Sequence, residues 1–405
     1  MDMPRLARNH RFWFFWGGQS LSKIGDKLHY IALIWFVVNR TDSGLAMGGV
    51  LLASSLPIVL CAPKAGELID RLNRQWLLTA ADLLRAAAAL GIGWTAANEG
   101  PLNYPLLLAL TALMAVGTAF FQPALNALLP LLVRQEDLLR ANSVNESATQ
   151  LAGLAGPMLA GVLLSFIAPH TVFYLNSLSF LIGALSVLPL RVRKSKAGLA
   201  ADSGFRAGLR YLLDRPALRD IALTFAVLNF AVSFVEVYIP FLNKDGFDGG
   251  PKELGLIFSA IFAGALLASV GLMIKKTVSQ QQKVIGGSIS LIGLAFVSIF
   301  FFRQQHIALG LFMLVGFGWG IFGPNYRVFV QNTVEDQRRG RVFALISAIA
   351  NTMMPLAYAT AGLATAVLPV YPAFLLGGLL VSASGLYLFS RRYHHADCQC
   401  QAQSA

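Results

Sequence analysis

Apolar runs of about 20 residues, the length a helix needs to cross a bilayer, recur along this whole chain and are separated only by short polar turns. That pattern leaves no room for a sizeable water-soluble domain, because 405 residues are used up by about twelve such runs and their connections. Composition agrees. The chain is 56% hydrophobic and only 13% charged, against roughly 25% charged in soluble domains. The expected fold is therefore an all-α polytopic membrane protein of about twelve transmembrane helices.

The predicted spans lie near residues 12–38, 45–65, 77–97, 104–130, 142–168 and 171–190, then 220–242, 253–274, 284–302, 307–331, 343–368 and 371–390. Breakers such as Asn98-Glu99-Gly100-Pro101 and Gly249-Gly250-Pro251 fall between them. The first run is too long for a signal-peptide core and lacks a small-residue cleavage site, so it reads as retained. Most of the 32 Lys and Arg fall in the termini and alternate loops, whereas the opposite loops carry only Arg40, Lys244, Lys252 and Arg303. By the positive-inside rule both termini are cytosolic. The basic charge thus reports topology, not a nucleic-acid partner.

The sequence also repeats itself. Gly117, Phe121, Pro123, Val133, Arg140, Ala160 and Gly161 recur at one constant offset as Gly318, Phe322, Pro324, Val334, Arg341, Ala361 and Gly362. The expected organisation is a six-helix half over 1–190, a cytosolic linker over 191–219, a second six-helix half over 220–392 and a cytosolic tail over 393–405. Within the linker, Phe205, Leu209, Leu212 and Leu213 share one helical face while Arg206 and Arg210 lie off it. That pattern predicts an interfacial helix on the inner leaflet.

Cysteine offers little chemistry: Cys61 sits in an apolar run, and Cys398 and Cys400 sit in the polar tail beside His394 and His395. Nothing flanking that tail would order a metal site, so none is expected. A primary pump would need a phosphate-cradling Gly-x4-Gly-Lys-Ser/Thr loop, which the sequence lacks. An intramembrane enzyme would want a nucleophile and base or a metal cluster, and only His29 lies inside a predicted span. Neither a cofactor nor an enzymatic activity is expected.

Two motifs carry the sharpest information. Between the second and third spans stands Gly66-Glu67-Leu68-Ile69-Asp70-Arg71-Leu72-Asn73-Arg74-Gln75. It resembles the loop signature of the major facilitator superfamily, with Asn73 where the family usually has a second Gly. Gly66 would permit close helix approach, Asp70 would cap a neighbouring helix, and Arg71 and Arg74 would hold the loop in the cytosol. Asn tolerates the left-handed conformation, so the turn is expected to survive. The fifth span carries Gly153-Leu154-Ala155-Gly156-Pro157-Met158-Leu159-Ala160-Gly161, which resembles the motif of the family's exporters. Small residues there bring backbones together and Pro157 kinks the helix. Gly25-Asp26, Pro123-Ala124 through Leu129-Pro130, and Arg140-Ala141-Asn142-Ser143 extend the resemblance to the drug and macrolide-efflux and enterobactin-exporter branch.

What the resemblance implies is a proton-coupled exporter of an amphiphilic small molecule, such as a drug, macrolide or siderophore, working as a monomer with protons as its coupling partner. A lysophospholipid flippase or a proton-coupled importer is the alternative on the same fold. Acids inside the bilayer are costly and mark function, which singles out Asp26 and Glu236 as proton-coupling or cargo-contacting groups. A static pair of Asp26 with Lys23 or Lys27 is the competing reading. Glu146 joins the candidates through the polar stripe it forms with Asn142, Thr149 and Gln150. Gln122, Asn126, Asn325 and Arg327 are further cavity-lining candidates, although Arg327 also suits a snorkelling place at the inner interface. Asp82 and Arg85, three apart on one helix, are expected to satisfy each other. Aromatics such as Trp13, Trp16, Phe120, Phe121 and Trp319 would stack on a drug or serve as packing and belt residues.

Overall fold

The computed structural model describes residues 9–190, 205–274 and 280–391. Apart from short turns these residues are helical, in the order α1 (His10–Thr41), α2 (Gly44–Arg71), α3 (Arg74–Ala97), α4 (Tyr104–Leu132), α5 (Leu138–Leu164), α6 (Pro169–Val187), α7 (Phe205–Leu213), α8 (Pro216–Phe241), α9 (Pro251–Ile274), α10 (Gln281–Phe301), α11 (Gln305–Thr333), α12 (Asp336–Ala364) and α13 (Val370–Ser390). A π-helical turn over Leu242–Gly246 extends α8. Eleven of the described helices are long and apolar enough to cross a membrane. The 32-residue α1 is as long as any but carries Lys23, Asp26 and Lys27 near its middle; with it the described helices give the twelve spans the sequence predicts. The first four start on polar caps, where Asn9, Ser43, Asn73 and Asn103 accept from the backbone N–H of Phe12, Ala46, Gln75 and Leu106.

The chain divides into two compact units, one of residues 1–200 with 249–259 and one of 201–248 with 260–405. In the first, α1 packs on α5 and α6, and α3 packs on α4 and α6; in the second, α8 packs on α12 and α13, and α10 packs on α11 and α13. The duplication read from sequence is thus a duplication of packing. Side chains repeat with it. Gln75 at the start of α3 donates to the last carbonyls of α6, Val187 and Leu188 at 3.1 and 3.0 Å. Gln282 at the start of α10 does the same for Leu388 and Arg391 around the end of α13, at 2.7 and 2.6 Å. Gln19 donates to Ser186 on α6, and Asp220 of α8 accepts from Tyr387 of α13 at 3.3 Å.

Without a hydrophobic drive between helices in lipid, close backbone approach carries much of the cohesion. In the second unit the α9 and α11 backbones meet so closely at Gly316 that an added Cβ would collide with the Ile261 carbonyl. Gly316→Leu is accordingly expected to lower stability by about 1–3 kcal/mol or more through overpacking, read as a drop in thermal unfolding temperature in detergent. Unchanged stability would mean that the two helices separate freely.

The short α7 corresponds to the predicted linker helix. Its apolar face is divided: Leu212 is buried, while Leu213 is about half exposed. The side chains of Phe205 and Arg206, the segment 191–204 and the tail with Cys398 and Cys400 lie outside the described residues.

Candidate functional site

In the first unit polar residues of α1 and α3 converge on Arg85. Its guanidinium, 1% exposed, forms an ion pair with Asp82 one turn earlier on α3 and a second, at 3.4 Å, with Asp26 of α1. The rings of Phe121 on α4 and Phe180 on α6 lie 3.7 and 4.4 Å from the guanidinium carbon, so the charge is held by two carboxylates and sandwiched by aromatic faces. Gly117 makes room for the stem: a Cβ there would lie 2.7 Å from Arg85 Cγ. Gln19 of α1 donates to Asp82 at 3.5 Å and to the Gly183 carbonyl at 3.1 Å. Arg85 Nε and Asn176 Nδ2 of α6 are buried with no hydrogen-bond partner. Asp82 is fully buried, whereas the Asp26 side chain is 35% exposed.

This arrangement bears out one expectation while extending it, and narrows a competing one. Asp82 and Arg85 do pair, but not exclusively, because a guanidinium has donors for a second carboxylate. Lys23 is not the neutraliser of Asp26: its Nζ reaches across to α5, 2.6 Å from Asn145 Oδ1 and 2.9 Å from Thr149 Oγ1. Lys27 remains close enough to act on Asp26 electrostatically. His29 is buried against Phe173, ring centroids 4.9 Å apart.

On α5, Glu146 is exposed and accepts from Gln150 at 2.9 Å, on the stripe that also includes exposed Asn142. Gln122 and Asn126 are exposed on α4. The glycine motif of α5 is buried, and its role is backbone contact. Gly156 faces Lys27, and a Cβ on Gly161 would lie 2.6 Å from the Pro251 carbonyl oxygen. Ser259 donates to the Leu154 carbonyl at 2.9 Å. Residues 249–259, the start of α9, therefore belong to the first unit through the small-residue face that includes Gly161.

The loop signature behaves differently from expectation. Gly66 is exposed, with open space where a Cβ would stand, so among the described residues it supports no close helix approach, while Ala65 and Ile69 on the other face of α2 are buried. Asn73 is not left-handed (φ −71°, ψ 116°) but caps α3, accepting from Gln75 N at 3.0 Å. An Asn in that place helps by starting a helix rather than by turning the chain. Arg74 donates to the Ala127 carbonyl of α4 at 3.3 Å. The side chains of Asp70 and Arg71, and residues 275–279 of the corresponding second-half loop, lie outside the described residues.

In the second unit Glu236 of α8 accepts a 2.6 Å hydrogen bond from the Tyr358 hydroxyl of α12. Sequence reasoning missed Tyr358; the available signal was a tyrosine in the middle of an apolar span. Tyr358→Phe keeps the ring and removes this bond to an acid. Stability is expected to fall by about 1.5–3 kcal/mol, and the loss should shrink when Glu236→Gln is added, as thermal unfolding of the four proteins of a double-mutant cycle would show. Strict additivity would mean that the two groups do not act together.

A cavity of about 460 Å³ opens in the same unit between α8, α11 and α12, lined by Phe225, Trp319, Phe322, Tyr326 and Phe343 with Arg327 and Gln331 at its polar side. Arg327 is thus a lining residue. Asn325, also expected to line a cavity, is instead 5% exposed and donates to the Ile321 carbonyl of its own helix at 2.8 Å. Buried Asp220, missed in the sequence, is held by Arg219 and Arg391 at 3.2 and 3.7 Å.

A duplicated bundle of apolar helices with paired charges inside the spans is the build of a multi-pass membrane protein, and its family makes it a transporter rather than an enzyme. The chain belongs to the Major Facilitator Superfamily, whose profile matches residues 15–358. It is 24% identical to Macrolide efflux protein A of Streptococcus pyogenes over 382 residues, 92% of this chain and 93% of that protein. It is 26% identical to the Multidrug efflux pump Tap of Mycolicibacterium fortuitum over 353 residues, 84% of this chain and 85% of that protein. Among solved structures, a bacterial homologue of the iron transporter ferroportin superposes with a TM-score of 0.74 at 18% identity, covering 94% of this chain and 99% of that one. The nucleoside transporter NupG does so with 0.75 at 12%, covering 94% and 98%.

Proposed function

We propose that this transporter is a proton-coupled exporter of amphiphilic small molecules, working as a monomer in the bacterial cytoplasmic membrane with both termini cytosolic and the proton gradient as its only energy source. The observation that carries the coupling is the partly exposed Asp26 carboxylate, 3.4 Å from an Arg85 that is already paired with buried Asp82. Protonating Asp26 returns Arg85 wholly to Asp82, so the ion-pair cost of losing one carboxylate is partly met by the other. Asp26 is then the acid that exchanges, and Asp82 the one that stays. Proton and cargo compete through this site: a proton weakens the link between α1 and α3, and its release restores it. Glu236, hydrogen-bonded to Tyr358, serves the same traffic in the second unit, and Glu146, hydrogen-bonded to Gln150, serves it from α5.

Export is supported by the efflux relatives, which align over most of the chain, and by the exporter-like motif seated on the start of α9. Amphiphilic cargo is supported by the aromatic cavity with a cationic rim at Arg327. Cells of a pump-deficient bacterium expressing the protein should retain several-fold less of a macrolide or a lipophilic dye than cells without it. Greater retention would indicate an importer, and equal retention across a chemically diverse panel would sink the efflux reading.

A further inference from the structure

The second unit holds a larger cavity, apart from the aromatic one, at the end where α8 and α12 begin. It measures about 680 Å³ and is lined by Gly208, Arg210, Tyr211 and Asp214 of the α7 segment and by Arg338, Arg341 and Val342 of α12. Three guanidiniums against one carboxylate give the lining a surplus of positive charge, and arginine's planar donors suit phosphate oxygens. The lining is built rather than incidental. A Cβ on Gly208 would lie 2.7 Å from Leu345 Cδ1 and 2.8 Å from Arg341 Cδ, so a larger residue there would have to displace these α12 side chains. Leu212 anchors α7 at 2% exposure.

The Tyr211 ring is clasped by Arg215 and Arg338, whose guanidinium carbons lie 4.1 and 5.0 Å from its centroid. Glu335, outside the lining, steadies the same two arginines at 3.7 and 3.6 Å. The membrane-spanning segments begin at Pro216 and Arg338, so the cavity lies at the level where spans meet headgroups. Val342 gives it an apolar wall, and Leu213 beside it is about half exposed.

We propose that this cavity binds a phosphate-bearing anion, and that its occupant is the headgroup of an anionic phospholipid, held by Arg210, Arg338 and Arg341 so that α7 is tied to the start of α12. Basic pockets at this depth recognise such headgroups, each arginine contributing roughly a fivefold gain in affinity. The test is native mass spectrometry of the purified full-length protein in detergent, titrated with phosphatidylglycerol. Wild type should retain one phosphatidylglycerol more tightly than phosphatidylcholine. Arg210→Gln should weaken it about fivefold, and the triple variant Arg210→Gln, Arg338→Gln, Arg341→Gln about a hundredfold. Millimolar inorganic phosphate should not displace the lipid. Equal retention by wild type and Arg210→Gln, an exposed position whose change spares folding, would overturn the site. Equal binding of phosphatidylcholine would overturn its charge selectivity. Displacement by inorganic phosphate would overturn the lipid as source in favour of a soluble phosphate.

Discussion

Replacing Arg85 with Gln is expected to be the most destabilising single substitution in the chain, at about 3–5 kcal/mol, the cost of stranding a buried charge by removing its partner. Asp82 is fully buried and pairs with this guanidinium, and Asp26 loses its 3.4 Å partner at the same stroke. The ring contacts to Phe121 and Phe180 go as well. The effect should appear as a large fall in thermal unfolding temperature and in the amount of folded protein recovered from membranes. Adding Asp82→Asn removes the stranded charge, so the double variant should recover a substantial part of the loss, which simple loss of packing would not allow. A destabilisation under about 1 kcal/mol, the scale of an exposed pair, would show that the triad does not hold the first unit together.

Asp26→Asn should behave in the opposite way, sparing the fold and removing coupling. The amide oxygen still accepts from Arg85, and Asp82 remains to balance the guanidinium, so no buried charge is stranded. What disappears is the ability to take up and release a proton. Gradient-driven export is therefore expected to fall at least about tenfold, the change that corresponds to about 1.4 kcal/mol of lost coupling, while unfolding temperature stays close to wild type. Transport that remains should lose its dependence on pH. Lys23→Gln is the control: it breaks bonds to Asn145 and Thr149 on α5, so it should loosen α1 from α5 without abolishing the pH response.

The helices and their duplication were legible because both are carried by long runs of residues: apolar length sets each span, and the recurrence of Gly117 and Pro123 as Gly318 and Pro324 marks the repeat. Partnerships were not legible, because they join residues far apart in the chain. Asp26 and Arg85 are 59 positions apart and Glu236 and Tyr358 are 122 apart. Local spacing also misled. Asp82 and Arg85 satisfy the helical i,i+3 rule so well that nothing in the sequence signals a third member, and Lys23 stands nearer to Asp26 in sequence than Arg85 yet is turned toward α5. The exporter motif was readable as a small-residue face, but its partner, the start of α9 at Gly255, required the fold. For Gly66 the inference from residue type to packing meets no contact among the described residues, since a glycine near a helix end can face open space.

Proton coupling is tested most directly with the purified protein in liposomes, by imposing a pH gradient and following uptake of a fluorescent amphiphile in wild type and Asp26→Asn. With the lumen acidic, wild-type protein should accumulate the probe until the gradient is collapsed by a protonophore, and the Asn variant should only equilibrate it. Equal accumulation by the two proteins, or accumulation that survives collapse of the gradient, would contradict proton exchange at Asp26.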